Sequence, residues 1–366
     1  MSVIRWSPIN SILNNRPAGT VVIGRPGSGK TFFLLNVAVN ALMTSCRVIY
    51  LDPKNDASVL REVYPDIKLT DVNNIEPGAM NPFKILKEIN SNVILAIISC
   101  ICGKLDDNKM IAIAPIVNDF IIMNSRNIGG TNFSALANYL YSSENIEAQA
   151  VGTMLKLNED SKYGKILFGE GGSSFNLGKK SEIISLFGLP LPNINSVQDM
   201  NQEERFSSAI IYILCKMLKE VLIEDSKLPT VFIVDEAYLM FANPAITAII
   251  NEFLVLGRSL NVATVLASQN ITHFPKGIGQ LISSKFMFAS SRREALEFLE
   301  EFDISSSSES FDRESILDYI SNIEEKIKGP GGCFFIDSKN RGGFIRIKSN
   351  LGVTSNPLLK KRKEKE

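Results

Sequence analysis

The sequence predicts an α/β fold, a mostly parallel central sheet that carries an inserted all-helical subdomain. Three observations lead there. Apolar, β-branched runs at residues 21–23, 47–52, 231–234 and 261–267 alternate with helical periodicities, as strands buried on both faces of a parallel sheet do. The first run passes directly into the octapeptide G-R-P-G-S-G-K-T at residues 24–31 and then into an apolar helical stretch. From about residue 82 to residue 165 only helical periodicities of good quality occur.

The octapeptide has the strand, loop and helix context of a phosphate-binding loop. Gly24, Gly27 and Gly29 let backbone N–H groups face an anion without interference from a Cβ. Lys30 has the reach for the β- and γ-phosphates, and the Thr31 hydroxyl has the position of a Mg²⁺ ligand at a helix N-terminus, where the dipole favours anions. Gly24, Arg25, Pro26, Gly27, Ser28, Gly29, Lys30 and Thr31 are therefore the expected binding residues for a nucleoside triphosphate with magnesium.

Such a site needs a hydrophobic strand that ends in acid, and Val231-Phe232-Ile233-Val234-Asp235-Glu236 supplies one. Asp235 is expected to hold Mg²⁺ through water and Glu236 to polarise the attacking water. A switch that only binds nucleotide needs the first acid but not the second, so the pair favours hydrolysis.

The remaining elements follow in order. Residues 47–52 form a second strand that stops at Asp52-Pro53-Lys54-Asn55-Asp56, where Pro and Asn-Asp mark a turn, and with the first strand and the helix between them it makes a βαβ unit. Helices are expected over 84–102, 109–124 around Pro115, 133–141 and 146–157, then a glycine-rich loop at 169–172, open either to a central pore or to solvent, and a strand at 182–186. A helix over 203–223 carries an apolar stripe of Phe206, Ile210, Ile213, Met217 and Val221 and should pack on the sheet. A helix at 244–256 leads to the strand at 261–267, whose tip presents Gln269 as a candidate sensor of the γ-phosphate. A strand at 285–289, a helix at 293–302, a serine-rich surface loop at 305–308 and a hairpin of 333–337 with 344–348 complete the core. The organisation read from this pattern is 1–83 and 166–358 as two parts of one nucleotide-binding core, 84–165 as the helical insertion and 359–366 as a charged flexible tail.

Composition removes other classes. With 366 residues and 45% hydrophobic content the chain can bury a large core with an appended subdomain. The most apolar run, residues 93–102, is about half of the ~20 residues that a membrane span needs, and the N-terminus lacks the pattern of a secretory signal, so an intracellular protein is expected. Five cysteines without a C-x-x-C pair read as reduced core residues, and a single histidine, His273, leaves little scope for zinc chemistry or a histidine-based triad. Thirty-nine basic and 39 acidic residues cancel, which argues against a chain whose task is to coat nucleic acid, though not against a ring that grips a polymer through a few residues.

In order along the chain, Asp52-Pro53-Lys54, Met80-Asn81-Pro82-Phe83, Asp235-Glu236-Ala237, Gly257-Arg258-Ser259-Leu260-Asn261, the strand ending at Gln269, and Lys285-Phe286-Met287-Phe288 together resemble the C-terminal ATPase domain of VirB4-type conjugation ATPases, within the group of hexameric FtsK/HerA-like motors. The resemblance spans nearly the whole chain. It implies a RecA-like P-loop NTPase core, a homo-oligomer, a hexamer when active, and a site shared between subunits. In such a site Arg258, by its match to the family's G-R motif, is the first choice for the arginine that completes the neighbour's site, with a salt bridge at a helix end as the alternative. Arg292, Arg293 and Arg341 are weaker candidates, and the C-terminal hairpin resembles the segment that packs close to the nucleotide in this group, so that Arg341 or Arg346 is expected to touch it. Two features depart from the family pattern: the phosphate loop begins only about two dozen residues from Met1 where family members carry a large N-terminal docking domain, so either an excised ATPase domain or a stand-alone relative is expected, and position 55 is Asn where many relatives have Gly.

The resemblance thus implies an ATP-hydrolysing motor for a type IV secretion or conjugation apparatus, in the cytoplasm and at the inner face of the membrane only through its partners. A DNA translocase, coupling protein or genome-packaging motor would use the same parts, and DNA is a possible partner. A nucleotide-dependent assembly scaffold is the reading from another class.

Overall fold

Alternation decides which way each strand faces. Val21, Ile23, Leu51, Phe232 and Val234 point into one hydrophobic cluster, while Val22, Val48, Tyr50, Val231 and Ile233 point into a second cluster on the opposite face. Strands apolar on both faces are stable only where helices cover both, and the computed structural model has that arrangement. It describes residues 6–103, 105–169, 171, 174–192, 200–304, 312–326 and 331–348. The serine-rich stretch at 305–308, the tail at 359–366 and part of the 169–172 loop lie outside those residues.

One sheet of nine strands organises the chain: β1 (Gly19–Ile23), β2 (Arg47–Asp52), β3 (Lys68–Asp71), β4 (Glu182–Ser185), β5 (Thr230–Val234), β6 (Val262–Ser268), β7 (Ile282–Met287), β8 (Gly332–Ile336) and β9 (Gly342–Arg346). Their order is β3-β4-β2-β5-β6-β1-β7-β8-β9. All pairings from β3 to β7 are parallel, and the β8–β9 hairpin adds two antiparallel strands at one edge. The mostly parallel α/β fold is as predicted. In the βαβ unit, however, β1 and β2 are not neighbours, because β5 and β6 lie between them. That insertion brings the acid-tipped strand and the Gln269 strand between the two turns they serve.

Helix Lys30–Met43 covers one face through Phe33, Leu34, Val37 and Ala38. Helices Gln202–Glu224 and Pro244–Leu256 cover the other, and the described helices between β3 and β4 join the same cluster through Phe83, Ile94, Ile98, Val117, Phe133, Leu136 and Phe168. Between β3 and β4 the described residues form no strand. Polar caps start several of these helices. Asn90, Asp106, Asn132 and Asn145 each accept a backbone N–H in the first turn of the helix they start, and Asn201 with Glu204 forms a capping box; each such cap contributes about 1 kcal/mol.

The expected helix over 84–102 is two helices, Pro82–Ile85 and Ser91–Cys102, because Asn90 takes extended backbone and caps the second. Strand β7 begins at Ile282, three residues before the expected start, since Ser283 and Ser284 are buried by β1 and by Ser11 and Trp6, contacts that no local pattern reveals. Strand β3 was not anticipated: at the sheet edge its residues are only partly covered, so the apolar run that marks a buried strand is absent. All five cysteines are free and buried. No helix among the described residues is long and apolar enough to cross a membrane.

Phe232 sits fully buried in β5 and meets the Phe253 ring edge-on at 5.5 Å between centroids. Phe232→Ala is expected to lower the unfolding free energy by about 3–5 kcal/mol, read from the shift of the denaturant midpoint. A shift under about 1 kcal/mol would mean that the β5 core is not packed as described.

Candidate nucleotide site

In an open parallel sheet ligands bind beyond the carboxyl ends of the strands, where loops leave for the helices. Here β1 ends at the Gly24–Thr31 loop, β2 at Asp52, β5 at Asp235-Glu236 and β6 at Ser268-Gln269, all on that edge. The loop is anchored from both sides. The Gly24 N–H donates to the Ser268 carbonyl of β6 at 3.3 Å, and the Arg25 N–H donates to the Ala289 carbonyl just past β7 at 2.9 Å. Gly27 (φ 78°) and Gly29 (φ 106°) adopt the left-handed backbone that curls the loop over the start of the Lys30 helix. Gly27 faces open space, so the crown of the loop is accessible.

The side chains converge across strands. Thr31 Oγ1 donates to Asp235 Oδ2 at 3.1 Å, tying the end of the loop to the end of β5. Lys30 is buried and its Nζ donates to the Gly24 carbonyl and, at 3.1 Å, to the Arg25 carbonyl, so its ammonium lies in the hollow of the loop. Glu236, 2% exposed, has a φ of +61°, a left-handed conformation rarely adopted by non-glycine residues and concentrated at functional sites. Its Oε1 accepts from Lys54 Nζ and from Gln269 Nε2 at 3.4 Å. Its Oε2 and the buried Ser28 Oγ have no hydrogen-bond partner among the described residues. Two orphaned oxygens beside a Thr–Asp pair and a lysine-filled loop suit a metal-bound triphosphate: hydroxyl and carboxylate are hard oxygen donors for magnesium, and the ammonium and loop N–H groups are anion donors.

Burial sets the electrostatics. It pushes the Asp235 carboxyl up from 3.8 to about 6, with Lys54 opposing and Glu236 adding to the rise. Burial also raises Asp52, against the backbone N–H donors of Ala57 and Lys54, and lowers Lys30, against the pull of Glu236 and Asp235. For Lys54 burial acts downward, yet its bond to Glu236 and the nearby acids leave it raised. Charges that would be costly alone thus lie within reach of charges of the opposite sign.

Of the sequence-predicted site residues, Gly24 to Thr31, Asp235, Glu236 and Gln269 share this edge; Arg258 does not. It precedes β6, at the opposite end of the strands, is exposed, and its Nη1 donates to the Asn15 carbonyl at 3.2 Å. Arg341 also lies at that far end, bound to Asp337 at 2.6 Å, whereas Arg346, paired in register with Gly332, is at the loop end. There the hairpin comes close: a Cβ on Gly29 would stand 3.3 Å from the Gly331 nitrogen. Arg292 and Arg293 pair with Glu314 and Glu297. Sequence reasoning assigned no role to Lys54, although a turn Asp52-Pro53-Lys54 at the end of a strand parallel to the Asp-Glu strand was the available signal.

A parallel sheet whose first strand runs through a glycine loop into a helix is the fold of a P-loop nucleoside triphosphatase. Over residues 12–351 the sequence matches the family described as AAA-like domain, and the chain belongs to that family. Its fold is similar to that of VirB4 of Thermoanaerobacter pseudethanolicus, at 14% identity over 92% of this chain and 91% of that one, with a TM-score of 0.72. It is also similar to the plasmid coupling protein TrwB solved with the non-hydrolysable ATP analogue ADPNP, at 13% identity over 93% and 87% of the two chains, with a TM-score of 0.57. Among curated proteins no sequence matches. At these identities the likeness is one of fold, and at that level the resemblance to VirB4-type ATPases read from the motifs is borne out.

The raised Asp235 carboxyl has a consequence for stability. Its folded value of about 6 lies above the ordinary 3.8, so between these values the folded chain holds a proton that the unfolded chain has released. Stability from this group is therefore present below about pH 4, falls as pH rises to about 6 and is level above. In EDTA and without nucleotide, Asp235→Asn should be more stable than the parent at pH 7.5, by on the order of 2–3 kcal/mol, with the gap closing toward pH 4.5 in denaturant titrations. A gap that does not change with pH would mean that Asp235 is not desolvated.

Proposed function

We propose that this chain is an ATP-hydrolysing, oligomeric motor that energises a type IV secretion or conjugation apparatus. The observation that carries the hydrolytic part is Glu236 Oε2, a buried carboxylate oxygen without a partner among the described residues, beside the Thr31–Asp235 pair and Lys30. A carboxylate so placed has an acceptor free for a water proton. The secretion part is supported by the fold likeness to VirB4 and to a conjugative coupling protein.

In this reading the loop N–H groups and Lys30 bind the β- and γ-phosphates, Lys30 exchanging the Gly24 and Arg25 carbonyls for phosphate oxygens. Thr31 directly and Asp235 through water would hold magnesium, which when bound would neutralise charge on the phosphate oxygens. Glu236 orients the water and takes its proton as the water oxygen bonds to the γ-phosphorus, and the proton then passes to the released phosphate. The bond from that phosphorus to the bridging oxygen breaks, and ADP and phosphate leave. Gln269, on the strand between the loop strand and the Asp-Glu strand, links the γ-phosphate position to Glu236. Arg258, exposed and remote from its own chain's loop, would reach the site of an adjacent copy.

Glu236→Gln is expected to lower steady-state ATP turnover at least about 100-fold while Kd for ADP stays within about threefold, the pattern of a group acting in the transition state. Lys30→Ala should instead weaken nucleotide binding itself. Parent turnover per chain should climb with protein concentration, and Arg258→Ala should abolish that climb. Turnover in the parent no higher than in Glu236→Gln at any concentration would sink the motor in favour of a scaffold. Stimulation by added single- or double-stranded DNA would move the assignment to a DNA translocase.

A further inference from the structure

The Asp52 turn has no part in the reading above, yet its geometry is fully determined. Asp52, wholly buried at the end of β2, accepts the Lys54 N–H at 3.1 Å on one oxygen and the Ala57 N–H at 2.7 Å on the other. Asn55 completes the turn at φ +57°, a conformation that asparagine tolerates better than most residues, which accounts for Asn where glycine would also serve. Strand β2 lies beside β5, and the Asp235 N–H donates to the Leu51 carbonyl at 3.3 Å. The turn therefore has a fixed place next to Glu236, and from it Lys54 Nζ reaches Glu236 Oε1.

We infer that Lys54 is a positioning residue for Glu236: by holding Oε1 it presents Oε2, the oxygen without a protein partner, to the attacking water. This rests on the hydrolytic role proposed for Glu236. Stability alone is a poor reason for the pair, because Lys54 is 47% exposed and a half-solvated lysine is a weak source of folding energy. Orientation is a better one. Glu236 stands on left-handed backbone, and its contact with Gln269 on Oε1 is long at 3.4 Å, so among the described residues the ion pair with Lys54 is the close contact that holds Oε1 and leaves Oε2 without a partner.

The test is steady-state kinetics on the full chain with Lys54→Met and Lys54→Arg, with Kd for ADP and for a non-hydrolysable ATP analogue measured in parallel. Lys54→Met is expected to lower kcat by about 10–100-fold, and Lys54→Arg, whose planar head cannot reproduce the ammonium contact, by about fivefold or more, both with Kd values within about threefold of the parent. Lys54→Cys treated with 2-bromoethylamine, which rebuilds an ammonium of lysine length, should recover most of kcat; the five native thiols are buried and so protected. An unchanged kcat in either variant overturns the inference, as does a loss of analogue affinity parallel to the loss of kcat, which would assign Lys54 to the phosphates. If Lys54→Met does not fold, Lys54→Arg decides by the same criterion. Glu236→Gln assayed alongside separates the two claims: a parent-like rate there removes the hydrolytic role of Glu236 and this inference with it, whereas a lost rate there with a normal rate in Lys54→Met removes this inference alone.

Discussion

Four charged side chains, Lys30, Asp52, Asp235 and Glu236, are kept almost wholly out of water at the carboxyl edge of an apolar sheet. A lone ion in such a place would cost several kcal/mol, and the group would neutralise instead. The arrangement persists because each charge has a specific answer. Asp52 takes backbone N–H groups, Asp235 takes the Thr31 hydroxyl, Glu236 takes Lys54, and Lys30 takes loop carbonyls. Those answers are satisfied only in part, and the unsatisfied remainder, Ser28 Oγ and Glu236 Oε2, is where a ligand has something to gain.

The sheet order makes this cluster possible. Because β6 and β5 lie between β1 and β2, the phosphate loop, Gln269, the Asp235-Glu236 pair and the Asp52 turn stand side by side along one edge. A change at any one reaches the next through a single hydrogen bond: loop to Asp235, Glu236 to Gln269, Glu236 to Lys54. The helices between β3 and β4 add to this edge indirectly. They share one hydrophobic cluster with Ile23, Leu51 and Val234, the residues immediately before the three turns, so the helical layer and the ends of the strands are packed as a unit.

The opposite edge has a different character. Arg258 and Arg341 lie there, bound to a carbonyl of residue 15 and to Asp337. A shared-site mechanism needs an exposed cation far from its own loop, since a residue that must enter a neighbour's site cannot also sit in its own. Arg258 meets that geometric demand, whereas Arg346 lies at the loop end, paired in register with Gly332.

Local patterns determined much of this protein by themselves. The glycines and Lys30-Thr31 after an apolar strand and the acids after Val234 are short-range signals, because the chemistry or the backbone conformation involved spans only a few residues. They specified the α/β class, the phosphate loop and the acid pair, and helical periodicity placed the helices at 133–141, 146–157 and 244–256. Tertiary structure alone decided the rest. The edge strand β3 lacks the apolar run of a buried strand; the early start of β7 depends on burial by residues over 250 positions away in the chain; and the break at residues 86–90 depends on whether Asn90 caps or continues a helix. The Lys54–Glu236 contact joins residues 182 positions apart. Spacing in the chain carries no trace of such a contact, since its geometry is set by which strands are neighbours, and that order follows from packing both faces of the sheet.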